Sequence, residues 1–108
     1  MEHFTEVFRD YLVDPESIEF YNIGWKFVFK NGYGASVITG GYGNKKFPYE
    51  VAVLKKITDD NYALCYDTQI TDDVIGYLDN EGVIDILNQI KELKEEWVWE
   101  HIKVMRIY

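Results

Sequence analysis

Trp25-Lys26-Phe27-Val28-Phe29-Lys30-Asn31-Gly32-Tyr33-Gly34-Ala35-Ser36-Val37 sets two β-rich runs on either side of an Asn-Gly pair. That pair is the strongest short-range signal for a two-residue hairpin, because both turn positions need positive φ. With such a loop Lys30 faces Tyr33, Phe29 faces Gly34, Phe27 faces Ser36 and Trp25 faces Ile38. Phe29, Phe27 and Trp25 then share a face with Gly34, Ser36 and Ile38. Large rings opposite small residues leave room for a covering element, and a helix fits best. The stretch predicts a hairpin that anchors a small α+β domain.

On the N-terminal side, residues 2–13 place Phe4, Val7, Phe8, Tyr11 and Leu12 at helical spacing. Asp14-Pro15 should end that helix, since the residue before proline is pushed out of the helical region. Ile18, Phe20 and Ile23 are candidate core residues of a linker or short strand. On the C-terminal side, Gly40-Gly41-Tyr42-Gly43-Asn44-Lys45-Lys46 reads as a mobile, exposed loop. Pro48 opens a third strand, Tyr49 to Lys55, with Tyr49, Val51 and Val53 on one face and Ala52 and Leu54 on the other. Thr58-Asp59-Asp60-Asn61 is a turn cluster, and Tyr62 to Asp67 a fourth strand. Short connections predict an antiparallel meander in chain order.

Thr71-Asp72-Asp73 before Val74 to Leu78 reads as the capped start of a short helix. Asp79-Asn80 breaks and re-caps it. The main helix is expected from Glu81 to Glu96, with Val83, Ile86, Leu87, Ile90, Leu93 and Trp97 on one stripe. Glu81, Asp85, Gln89, Glu92, Glu95 and Glu96 occupy its other face. The tail from Trp97 to Tyr108 reads equally as helix or as an added strand at Ile102 to Ile107. The expected fold is a single α+β domain over residues 1–108. It has an antiparallel meander of four strands, five with the tail, packed by an N-terminal and a C-terminal helix.

A chain of 108 residues can bury one core but not two. Hydrophobic residues at 47% are enough to offset the entropy of ordering, so disorder is not expected. No apolar run approaches the roughly 18 residues of a membrane span. The acidic start, Met1 to Glu6, lacks the basic region of a signal peptide. The single cysteine, Cys65, excludes an internal disulfide and fits a reducing compartment. A cytoplasmic location is expected.

The net charge of −8 is unevenly spread. Residues 1–20 carry six acids and one base, residues 21–56 one acid and six lysines, and residues 57–108 twelve acids and four bases. This predicts an acidic end and a weaker basic patch. Direct nucleic-acid binding is disfavoured, because affinity there comes from neutralising phosphates. A protein with a basic surface is the expected partner.

Chemistry finds little support. The histidines are His3 and His101, neither joined to Cys65 by any local signature, and a thiol in an apolar strand stays protonated. Asp67, Asp72, Asp73, Asp79 and Glu81 could offer oxygens to a hard cation, but their spacing fits no EF-hand loop. Helix capping explains Asp72, Asp73 and Asp79 more simply. The glycine loop at 40–44 is followed by no Lys-Ser/Thr pair, which argues against a nucleotide cradle. No catalytic residue, metal or cofactor is expected, and the protein is read as a non-enzyme. Nine tyrosines are the unusual feature. They are common anchors of protein interfaces, although sheets also bury aromatic rings for packing alone.

Asn31-Gly32-Tyr33-Gly34-Ala35-Ser36-Val37, Tyr49-Glu50-Val51-Ala52-Val53-Leu54 and Cys65-Tyr66-Asp67-Thr68-Gln69-Ile70-Thr71-Asp72-Asp73-Val74-Ile75-Gly76-Tyr77-Leu78 together resemble a group of small phage and prophage proteins. The resemblance covers residues 25–93 and implies a phage origin, an accessory role and the cytoplasm of a bacterial host. It brings no catalytic residues. In size, charge and origin the chain is similar to the host-takeover and anti-defence class, which includes anti-CRISPR proteins and DNA mimics. The expected function is therefore inhibition of a host protein, such as a nucleic-acid-handling defence complex, by acidic mimicry of DNA. Asp59, Asp60, Asp72, Asp73, Glu81, Asp85, Tyr33 and Tyr42 are the candidate partner-binding residues. The alternative is a phage accessory or structural module that self-associates, as a homodimer for example, through aromatic surface.

Overall fold

Three residues, not two, turn the central hairpin. A computed structural model of the chain describes residues 2–13, 24–58, 61–65, 68–71 and 73–93. In it Phe29 extends β1 (Gly24–Val28) to pair with Tyr33, the first residue of β2 (Tyr33–Thr39), and Lys30, Asn31 and Gly32 form the loop between them. The Phe29 carbonyl accepts from the Gly32 N–H at 3.4 Å, and the Phe29 N–H donates to the Tyr33 carbonyl at 2.8 Å. Only the glycine of the Asn-Gly pair takes a positive φ, +85°, so the loop closes as a tight turn followed by one left-handed residue.

The register therefore moves by one residue from the sequence expectation. Trp25 pairs with Val37, Phe27 with Ala35 and Val28 with Gly34. A slip of one residue exchanges the faces of the partner strand. The rings of β1 consequently share their face with Ala35 and Val37, not with Gly34, Ser36 and Ile38.

From there the antiparallel meander runs as expected. β3 (Tyr49–Thr58) pairs with β2, and β4 (Asn61–Leu64) returns along the far edge of β3, with Leu64 opposite Leu54. A fifth strand comes from an unexpected place. The capping pattern predicts a short helix at residues 74–78, yet β5 (Ile75–Leu78) pairs with the first half of β3, Leu78 opposite Tyr49 and Ile75 opposite Val51. Thr71 Oγ1 does accept the Asp73 N–H at 3.1 Å, as a capping residue would, but the chain then extends. β3 is ten residues long and outreaches β4, so part of its edge is open for pairing. The β-branched and aromatic residues of β5 suit that position.

The N-terminal segment is two short turns, not one helix through residue 13: α1 (Phe4–Val7) and a 3-10 turn (Arg9–Tyr11). Phe4 and Phe8 are buried, while Val7, expected inside, is 43% exposed. Leu12 bridges to Phe27, and the Val13 N–H donates to the Lys26 carbonyl at 2.8 Å. Pairing with the edge of β1 overrides helical continuation there. The main helix, α2 (Asn80–Lys91), starts where Asp79 caps it, its carboxylate accepting the Gly82 N–H at 2.8 Å. It stops short of the expected Glu96. The readings of residues 14–23, of Glu95 and Glu96, and of the tail from Trp97 lie outside the described residues.

α2 lays Val83, Leu87 and Ile90 on the sheet face that carries Phe27, Val37 and Val51, with Phe4 and Phe8 closing the side. Edge-on ring contacts knit this layer, Phe4 standing 5.0 Å from both Trp25 and Tyr49. The opposite sheet face is partly roofed by its own side chains. Lys26 on β1 and Tyr62 on β4 reach towards each other across two strands, the ammonium 5.3 Å from the ring centroid. Ala52 and Leu54, on that same face, are buried. A long lysine stem and a tyrosine ring can cover apolar surface while keeping their polar ends wet.

Candidate interaction surface

Of the nine acidic residues described, seven lie on or beside the helical elements: Glu2, Glu6, Asp10, Asp79, Glu81, Asp85 and Glu92. Asn80 sits one position inside α2, and its side chain holds both partners of a clasp. Asn80 Oδ1 accepts the Phe4 N–H at 2.8 Å, and Nδ2 donates to the Glu2 carbonyl at 2.8 Å. This ties the start of α1 to the start of α2. One turn along α2, Asp85 is exposed and accepts from Gln89 Nε2 at 3.1 Å. Glu92 lies beyond the last turn, and Glu6 and Asp10 are exposed on the N-terminal turns that pack beside α2. Two bases interrupt this surface, Arg9 and Lys91, and the Lys91 ammonium lies 5.5 Å over the Tyr11 ring. Lys26, Lys30, Lys45, Lys46, Lys55 and Lys56 all belong to the first three strands and their loops. Among the described residues, then, most acids lie on the helical layer, Glu50 and Asp73 excepted, and most lysines on the sheet and its loops, Lys91 excepted.

Of the residues singled out from sequence, Asp73, Glu81, Asp85 and Tyr42 are exposed. Glu81 and Asp85 lie one turn apart on α2, whereas the Asp73 carboxylate caps its own neighbour, accepting the Val74 N–H at 2.8 Å. Tyr33 is a correction. It is 3% exposed and belongs to the core. The one-residue change of register is the reason, because it moves Tyr33, with Ala35 and Val37, to the face of Phe27 and Phe29. Asp59, Asp60 and Asp72 lie outside the described residues.

A second surface forms where the glycine loop meets β5. The loop is tied down at several points. The Tyr42 N–H donates to Glu50 Oε1 at 3.0 Å, and Asn44 Oδ1 accepts the N–H groups of Lys46 and Phe47 at 3.0 and 2.8 Å. The Tyr42 carbonyl accepts the Tyr77 N–H at 2.8 Å. Opposite Glu50, β5 carries two residues, Gly76 and Tyr77, between the pairs Val51–Ile75 and Tyr49–Leu78, which makes a β-bulge. Gly76 is packed so closely that a Cβ there would lie 2.5 Å from the Tyr42 Cβ and 2.6 Å from its carbonyl oxygen. Tyr77 adopts φ +55°, the one positive φ of a non-glycine residue among those described. Both tyrosines project into solvent, Tyr42 at 63% and Tyr77 at 58% exposure. The role of Tyr77 was not legible beforehand, although Gly76 before it is a signal for a bulge or a close backbone approach.

No family model, curated protein or solved structure matches this chain.

The geometry itself must then speak for chemistry. Among the described residues, no group of three or more His, Cys, Asp or Glu side chains could hold a metal ion. Cys65 is buried in the core, and His3 packs against Phe4 while its Nε2 sits 3.3 Å from the Tyr49 hydroxyl. The described surface presents carboxylates along the helical layer and two exposed tyrosines, Tyr42 and Tyr77, beside β5.

Proposed function

We propose that this is a phage-encoded, non-enzymatic binding protein that acts in the bacterial cytoplasm by inhibiting a host protein that handles nucleic acid. The observation that supports this reading most directly is the segregation of charge. Glu2, Glu6, Asp10, Glu81, Asp85 and Glu92 lie on the helical layer, apart from the lysines of the sheet. Carboxylates spaced along a rigid helix can occupy a basic channel where phosphates otherwise sit, and can steer the encounter with it. The phage setting is part of this proposal and is drawn from the motif resemblance within residues 25–93.

The test is retention of host proteins by the tagged chain at low and high salt, followed by displacement with duplex DNA. A nucleic-acid-binding complex should be retained at low salt, released by DNA, and bound about a hundredfold more weakly by the double variant Glu81→Lys, Asp85→Lys. Both positions are exposed, so the variant should fold, with a melting temperature within a few degrees of the parent's at moderate salt. Undiminished binding by that variant would end the mimicry reading. The exposed Tyr42 and Tyr77 favour a second reading, a self-associating phage accessory module. Association through rings would resist salt, whereas association through carboxylates weakens steeply as ionic strength rises.

A further inference from the structure

Of the asparagines in the chain, Asn31 alone precedes a glycine. That pair has a reactivity of its own. The backbone nitrogen after an asparagine can attack the side-chain amide carbon, and a side chain on the following residue ordinarily hinders the approach. Gly32 has no side chain, and nothing lies within 4 Å of the position a Cβ would take.

The fold holds both reacting groups in place. Asn31 Nδ2, the nitrogen that would leave, donates to the carbonyls of Ile90, Lys91 and Leu93 at 2.9, 3.1 and 2.8 Å. Oδ1 accepts the Tyr33 N–H at 3.0 Å. On the attacking side, the Gly32 N–H donates to the Phe29 carbonyl at 3.4 Å, and the Gly32 carbonyl accepts the Lys56 N–H at 2.8 Å. Expelling Nδ2 requires its bonds to the end of α2 to be given up. The reaction is thereby tied to one local motion, the opening of that end.

We propose that Asn31 is a deamidation site gated by opening of the C-terminal end of α2, and that its product keeps that end open. In the open state the deprotonated Gly32 nitrogen bonds to Asn31 Cγ, and the Cγ–Nδ2 bond breaks as ammonia departs with a proton. The cyclic imide that results takes up one water. Hydrolysis at Cγ leaves aspartate. Hydrolysis at the main-chain carbonyl leaves isoaspartate, which lengthens the backbone of the hairpin loop by a methylene. Either product replaces the amide hydrogens with a carboxylate that has none to donate. Lys30 and Lys91 are the neighbouring bases in sequence, and the Lys91 ammonium is drawn over the Tyr11 ring at 5.5 Å. Whatever charge they screen, the three carbonyls lose this donor, and the negative end of the helix repels what replaces it.

The test follows the mass gain of amide-to-acid exchange at residue 31, by peptide mapping of the full chain incubated at mildly alkaline pH. A synthetic peptide of residues 27–36 carries the same Asn-Gly pair without the helix. The folded chain should convert at least about tenfold more slowly than the peptide. Leu93→Ala removes a half-buried side chain packed on the core and leaves every carbonyl in place, so it should speed conversion about tenfold. Asn80→Ala loosens the other end of α2 and should leave the rate unchanged. Asn31→Asp reproduces one product. It should lose amide-exchange protection at Glu92 and Leu93, whose N–H groups bond to the Asn88 and Ile90 carbonyls, while Phe27 and Ala35 in the sheet stay protected. The deamidated fraction of the aged parent, separated by ion exchange, should show the same loss, whether or not the variant folds on expression. A peptide that does not convert, or a folded chain that converts as fast as the peptide, overturns the gated site. So does a Leu93→Ala chain no faster than the parent, or an Asn80→Ala chain as fast as Leu93→Ala. Full protection of Glu92 and Leu93 in the deamidated chain overturns the lasting opening.

Discussion

Asn31 shows how one side chain can serve two distant pieces of structure. Its Nδ2 donates to the carbonyls of Ile90, Lys91 and Leu93 at 2.9, 3.1 and 2.8 Å, and its Oδ1 accepts the Tyr33 N–H at 3.0 Å. Two amide hydrogens are shared among three carbonyls at and just beyond the end of α2, where intrahelical N–H partners run out, the Ile90 carbonyl also accepting the Leu93 N–H at 3.1 Å. The same residue that turns the hairpin therefore closes the helix that lies on it. Asn31→Ala should lower stability by about 1–2 kcal/mol, read as a lower urea midpoint with an unchanged slope. No short-range rule anticipates this, because the pair Asn-Gly announces only a turn. Tyr77 and Gly76 belong to the same category, their conformation being required by the Tyr42 backbone and not by their own preferences.

The elements differ in how firmly their own sequences specify them. α2 has a capping aspartate, an apolar stripe and a polar face, and it forms within a few residues of the expected start. α1 is only four residues long and depends on its neighbours. The clasp from Asn80 and the burial of Phe4 hold it. Asn80→Ala should release it, costing about 1–2 kcal/mol and speeding amide exchange at Phe4 and its neighbours. Phe29 and Tyr33 in the hairpin should remain protected. If their exchange accelerates as much as that of Phe4, the N-terminal turn is part of the folding unit and not an appendage. β5 is the opposite case from α2. Thr71 and Asp73 make the local contacts of a helix start, but an unfilled stretch of β3 takes the chain as a strand.

Among the described residues the two organising features are one core between sheet and helices and a bias of acids towards the helical layer. Like charges crowded on the helical side repel, and with a net charge of −8 the compact state bears that cost. Raising sodium chloride from low to moderate concentration should therefore raise the melting temperature by a few degrees as screening shortens the range of repulsion. Glu81→Lys with Asp85→Lys should flatten that dependence. A melting temperature that ignores salt would mean the acids are too far apart to feel one another. It would also weaken the case for a concentrated acidic binding face.

Periodicity and composition determined the strands of the meander, the stripe of α2, the side of the sheet that Val51 and Val53 face, and the imbalance of charge. These are local properties, legible because a side chain's direction repeats every two residues in a strand and every 3.6 in a helix. The hairpin register, the burial of Tyr33, the strand at β5 and the exposed tyrosine pair were settled by contacts between segments far apart in the chain. A turn of two or three residues differs by little in local energy, yet it exchanges the faces of a whole strand. The choice falls to whichever pairing lets the rings of β1 lie under α2 while Asn31 reaches its end.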